Sequence, residues 1–264
     1  MIRVSARPLP RWLYLPASVA LAVVALPVLG LLARVPWRRL PELVLQPESL
    51  AALRLSLVTC SWSLLLVILL GLPLALVLSR AQGPWAQAAR VVAVLPMVMP
   101  PVVAGLALLV TLGRRGLLGQ HLSALGLDVG FTTLAVVIGQ TFVAMPYFVV
   151  ALEGALRTLD PRYERVAATL GSSPTRTLVT VTLPLLGPAL VGGAAMAFAR
   201  ALGEFGATLT FAGSLPGVTQ TLPQAIYLTR ESDPDGALAL AFVLLMLATV
   251  LMGLAGWVTR ERHG

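Results

Sequence analysis

The chain has 264 residues, a mean hydropathy of +0.89, 58% hydrophobic residues and only 11% charged ones. A soluble globular domain carries about 25% charged residues, and a core of this size could not hide so much apolar surface from water, so much of it must face lipid. All 19 basic residues behind the formal charge of +8 are arginines scattered between apolar runs, which points to juxtamembrane contacts with anionic lipid and not to a nucleic-acid partner.

Six apolar segments can be placed, each near the ~20 residues that a helix needs to cross the hydrocarbon. The first, Trp12 to Leu32, follows Arg3, Arg7 and Arg11 as a signal peptide would. It is long, however, and its end, Leu31-Leu32-Ala33-Arg34, has no small-x-small cleavage pattern, so a retained helix is expected. The second, Leu53 to Leu78, contains Cys60, the one cysteine, which excludes an internal disulfide. The third, Ala88 to Leu112, is interrupted by Leu95-Pro96-Met97-Val98-Met99-Pro100-Pro101. Prolines remove backbone donors and kink a helix. In lipid that is tolerated at a packing kink or along a pathway, and both readings stand. Gly105 permits a close helix contact.

The fourth segment runs from Phe131 to Ala151, the fifth from Pro184 to Leu202 or further, and the sixth from Ala237 to Trp257. Neither His121 nor His263 has a ligand-like neighbour pattern, so no metal site is expected. With the N-terminus inside, eleven arginines fall on inner segments (3, 7, 11, 80, 90, 157, 162, 165, 176, 260 and 262). Seven fall outside: 34, 38, 39, 54, 114, 115 and 230. That bias follows the positive-inside rule and places both termini in the cytoplasm. We therefore expect an all-α polytopic membrane protein, one transmembrane domain over residues 1–264, with a cytoplasmic loop at 152–183.

That loop is the most informative stretch. Asp160 can cap a helix, Pro161 suits its first position, and Glu164 completes a capping-box spacing. Tyr163, Val166, Ala167 and Leu170 form an apolar stripe at helical spacing. Gly171 can end the helix in a left-handed turn, and Pro174 discourages continuation; a second short helix can follow to Val181. Such a helix could lie on the bilayer or dock into a partner's groove.

Arg165-Val166-Ala167, then Gly171, then Val181-Thr182-Leu183-Pro184 resembles the cytoplasmic motif of membrane subunits of ATP-binding-cassette (ABC) importers: Glu-Ala-Ala, three residues, Gly, nine residues, Ile, one residue, Leu-Pro. Arg165 stands where the family has glutamate, with Glu164 one position earlier. The stretches Gly203-Glu204-Phe205-Gly206-Ala207-Thr208 and Thr221-Leu222-Pro223-Gln224-Ala225-Ile226-Tyr227 resemble the molybdate permease branch, near the sulfate permeases, as does Gly139-Gln140-Thr141-Phe142-Val143-Ala144-Met145-Pro146-Tyr147.

The resemblance implies a type I importer permease with six helices in a bacterial cytoplasmic membrane, working as a homodimer. It implies two ATPase subunits, which bind ATP and Mg2+, and an extracytoplasmic molybdate-binding protein. The coupling helix would comprise Asp160, Pro161, Tyr163, Glu164, Arg165, Ala167, Ala168, Leu170, Gly171 and Pro174. Tungstate or sulfate are the alternative cargoes, and an ion-gradient transporter is the alternative class.

Arg200 and Glu204, four apart, share a helix face in the membrane. Such groups usually pair or face a cavity. They read as a structural ion pair, as an anion-attracting arginine, or as groups already at the outer interface. Candidate pathway or gate positions are Gln140, Thr141, Arg200, Gly203, Glu204, Gly206, Thr208 and Thr210, with Ser63 beside them. The chain has no lysine, hence no P-loop, and no assembled nucleophile, base and acid. It is read as a non-enzymatic subunit with no cofactor of its own.

Overall fold

A computed structural model describes residues 10–261, and among them every regular element is helical. Arg3, Arg7, Arg262 and His263 lie outside the described residues. In chain order the helices are α1 (Tyr14–Arg34), α2 (Leu40–Val44), α3 (Pro47–Arg80), α4 (Pro84–Val98), α5 (Pro101–Leu112), α6 (Gly119–Ala124) and α7 (Thr133–Thr158). Then come α8 (Arg162–Thr169), α9 (Pro174–Thr177), a π-helical turn at Leu178–Thr182, α10 (Leu183–Leu185), α11 (Gly187–Leu202), α12 (Gly206–Ala212), α13 (Leu222–Thr229) and α14 (Pro234–Glu261).

Four helices, α1, α3, α7 and α14, are long and apolar enough to cross a membrane unaided, and the spans number up to six if each of two bent pairs counts as one. The third expected segment is one of the pairs. Pro100 and Pro101 in succession offer no backbone donor, and Pro100 is extended at φ −54°, ψ 136°. The helix ends at Val98, Pro101 opens the next one, and the two meet at 116°. The proline run is therefore a complete break, not a kink in a continuous helix. The fifth segment also departs from a straight rod. Its helix starts at Pro174, turns by 70° before Gly187, runs to Leu202, breaks at Gly203–Phe205 and resumes as α12.

The inner half of the core is a three-helix contact. Cys60, Val67, Ala75 and Leu78 of α3 meet Ala144, Phe148, Val149 and Leu152 of α7, with Ala197, Phe198, Ala201 and Leu202 of α11. Phe148 sits between two glycines. A Cβ on Gly71 would lie 2.9 Å from its ring, and one on Gly193 3.3 Å from it. The outer half is built from α5, α7 and α12, where Leu108, Ala135, Val136, Phe211 and Ala212 are buried together. Past Gly213 and Gly217, both at positive φ, the chain passes the outer end of α7, where Thr133 Oγ1 donates to Val218 O. It then enters the bundle, so that Leu222 N reaches Ser56 Oγ at 2.7 Å, and α13 returns beside α3 and α14. This re-entrant segment adds no crossing.

Ion pairs respect the expected sides. Arg80–Glu164, Arg90–Glu153 and Arg157–Glu153 join inner residues, while Arg39–Asp235 and Arg114–Asp128 join outer ones. Among the described residues no ion pair joins an inner to an outer position.

Candidate functional site

The inner loop is built around α8. Pro161, which has no N–H, precedes its first residue, and Asp160 Oδ1 accepts a hydrogen bond from Arg162 N at 2.9 Å. The expected capping box does not form, because Glu164 turns away from the helix start. Its Oε1 takes Arg80 Nη2 from the end of α3 and Thr182 Oγ1 from the π-turn, both at 2.7 Å. One carboxylate oxygen thus ties α8 to the two membrane elements beside it. At the other end Gly171 N donates to Ala168 O and Ser172 N to Ala167 O, the paired bonds of a Schellman stop, with Gly171 at φ +81°. Pro174 then opens α9, whose first turn is capped by Ser173 Oγ accepting from Arg176 N.

The stripe expected on α8 is uncovered. Tyr163, Val166 and Leu170 are exposed, Leu170 to 82%, and Ala167 is half-buried between them. Arg165 and Ala168 are exposed beside it. A short helix with an apolar face open to water and a rigid stop is suited to entering a groove on another protein.

The second constellation lies at the break between α11 and α12. Glu204 is 1% exposed. Its Oε2 lies 2.6 Å from Arg200 Nη1, and its Oε1 accepts from Ala207 N at 2.7 Å. The carboxylate therefore serves two positive ends at once, a guanidinium and the first turn of α12. Ala201 packs with Ala144, and Ala207 with Val143. Those α7 residues lie near the middle of Thr133–Thr158, so the pair sits at mid-depth and not at the outer interface. Met196 and Gly203 are exposed to either side of Arg200 in the chain, and a quarter of the Arg200 side chain is exposed.

The other pathway candidates are largely engaged inside the chain. Gln140 directs Nε2 to Cys60 Sγ at 3.4 Å, and its Oε1 has no partner among the described residues. Thr141 Oγ1 bonds to Val137 O, with Ser63 Oγ at 3.2 Å. Thr208 Oγ1 donates to Phe205 O and accepts from Gln224 Nε2, and Thr210 Oγ1 donates to Gly206 O. Gly206 is a close approach, since a Cβ there would stand 2.6 Å from Pro101.

Sequence reasoning missed Arg80 and Thr182, which hold Glu164, and Arg90, which bonds to Glu153 and caps α3 at the carbonyls of Leu78 and Ala81. It also missed Ser56 and Gln224, which anchor the re-entrant segment. Arg90 carried a faint signal, an arginine six residues into an apolar helix.

Residues 67–263 match the family model described as binding-protein-dependent transport system inner membrane component. The molybdenum transport system permease protein ModB of Mycobacterium tuberculosis is 52% identical over 244 residues, 92% of each chain. The protein of the same name from Escherichia coli K12 is 36% identical over 228 residues, 84% of this chain and all of that one. A chain of the bacterial alginate ABC transporter, solved with an alginate pentasaccharide-bound periplasmic protein, matches with a TM-score of 0.73 over 95% of this chain and 93% of that chain. Its identity is 16%, so it speaks for the fold alone. With four to six apolar spans, an exposed inner helix and a family match over most of its length, this chain belongs to the binding-protein-dependent transport system inner membrane components, the multi-pass permease subunits of ABC transporters.

Proposed function

We propose that this chain translocates molybdate as one of two permease copies in an ATP-driven importer. The reading is carried by the 52% identity to a molybdenum permease over 92% of both chains. Two ATPase subunits, holding ATP and Mg2+, would take the Tyr163–Val166–Leu170 stripes in their grooves, and an extracytoplasmic binding protein would deliver the dianion. ATP binding would draw the two α8 helices together, and hydrolysis would release them, so that the spans tilt between two arrangements around a fixed pathway. The tie from Glu164 to Arg80 and Thr182 supports that transmission, because a displaced α8 must move α3 and the root of α11 with it.

Within the pathway Arg200 would meet the anion, Glu204 would hold Arg200 in place, and Gly203 would leave room beside them. A tetrahedral dianion needs positive charge on the way through but a grip weak enough to let go. A guanidinium already half neutralised by a carboxylate meets both needs. The remaining candidates, Gln140, Thr141, Gly206, Thr208 and Thr210, would set the packing around the break.

The test is oxyanion uptake into proteoliposomes containing this permease, its ATPase and its binding protein. Molybdate uptake that excess sulfate does not suppress is expected. Preferential sulfate uptake would overturn the molybdate assignment, and uptake driven by an ion gradient without ATP would overturn the importer reading.

A further inference from the structure

We propose that a cleft on the cytoplasmic side, between the end of α3, the start of α4 and the docking loop, binds an anionic phospholipid of the inner leaflet. The cleft has a volume of about 730 Å3, within the ~300–1,000 Å3 typical of small-molecule sites. One wall is apolar and belongs to membrane helices: Leu76 and Val77 in the last turns of α3, and Trp85 in the first turn of α4. Val77 is 55% exposed and Trp85 60% exposed among the described residues. Tryptophan at a helix start beside the cytoplasm is the side chain that marks the headgroup level.

The opposite rim is polar and carries one cation, Arg80, beside the Glu164 carboxylate that it binds. Arg80, Ser172 and Thr175 face the cleft from α3 and the docking loop. Arg80 spends Nη2 on Glu164, and its side chain is still 62% exposed. Its Nε and Nη1 have no partner among the described residues, which leaves part of a planar fork suited to phosphate oxygens. An apolar wall that continues a lipid-facing helix, an interfacial tryptophan and a part-free guanidinium at one depth match one ligand chemistry: an acyl chain leading up to a phosphate. The negative potential of the cytoplasmic leaflet favours a net-anionic headgroup over a zwitterionic one. A soluble anion would use the arginine and leave the wall wet. Because the same Arg80 holds Glu164, lipid charge would be felt by α8.

The test uses the permease–ATPase complex in nanodiscs of phosphatidylcholine with or without phosphatidylglycerol. The complex is extracted, and co-purifying lipid is counted by native mass spectrometry. Wild type is expected to retain phosphatidylglycerol over phosphatidylcholine. Arg80→Gln should lower that retention several-fold, while Arg115→Gln on the outer side leaves it unchanged. Equal retention by wild type and Arg80→Gln would overturn the proposal. A benzophenone side chain placed at position 85 gives an arm independent of the arginine variant. Photolysis should yield lipid adducts, and adducts to the ATPase or to the second permease instead would show that protein covers the cleft and would also overturn it.

Discussion

Glu204 offers the sharpest perturbation, because its two carboxylate oxygens have separable roles. Oε2 neutralises Arg200 at 2.6 Å, and Oε1 accepts from Ala207 N at 2.7 Å in a site where the residue is 1% exposed. Glu204→Ala removes both, leaving a guanidinium without its partner at mid-membrane and a backbone donor without an acceptor. Breaking a buried pair by removing one partner costs about 3–5 kcal/mol, of which the lost cap accounts for roughly 1 kcal/mol. For a chain of this length that corresponds to a fall in melting temperature of roughly 10 °C. Glu204→Gln keeps a carbonyl for Ala207 and loses only the charge, so it should melt between Glu204→Ala and wild type. Replacing both Arg200 and Glu204 by methionine removes the charges together, and stability should recover toward wild type, since apolar substitution of a whole pair is often neutral. Uptake should not recover in that double variant if Arg200 meets the anion. The assay is thermal unfolding of the purified complex alongside ATP-driven molybdate uptake. If Glu204→Ala melts within about 2 °C of wild type, the energetic account is wrong. Normal uptake by the double variant would leave the pair a purely structural one.

Gly171 has open space around it but sits at φ +81°, so Gly171→Val should strain the α8 stop by ~1–2 kcal/mol without blocking insertion. ATPase activity should persist in that variant while uptake falls, and normal coupling would refute the docking role. Gly105→Ala would place a Cβ 2.6 Å from Ala207 O and 2.9 Å from its Cα. Backbone cannot yield as a side-chain tip does, so α5 and α12 must separate at a cost of about 1–3 kcal/mol, read as lower thermal stability. Arg90→Ala uncaps α3 at Leu78 and Ala81 and strips Glu153, itself only 12% exposed, of one of its two arginines. A loss of roughly 3 kcal/mol is expected, and it should persist in high salt because the pair is largely covered.

The spans were readable because hydrocarbon imposes a length, and runs of ~20 apolar residues report it whatever their partners are. Gly171 and Pro174 were readable for the same reason of locality: a Schellman stop is made within six residues of chain. Glu164 shows where locality fails. Its spacing from Asp160 suggested a capping box, yet its partners are Arg80, 84 residues away, and Thr182, 18 residues away. No local pattern distinguishes a carboxylate that closes its own helix from one that tethers it. The proline run shows the same limit in geometry. Pro100 and Pro101 make a break available, but their 116° angle needs a surface for α5 to fall against. Gly105 and Gly206 supply it by letting α5 and α12 approach to backbone distance, with Ala207 and Pro101 as the points of contact. Both interrupted spans therefore depend on one interface. The break in the first brings Pro101 to Gly206, and the break in the second is capped by Glu204 two residues earlier. A force that opens α5 from α12 must act on the capped turn that holds Arg200, so under the proposed mechanism this interface is where movement of α8 would reach the surroundings of the anion.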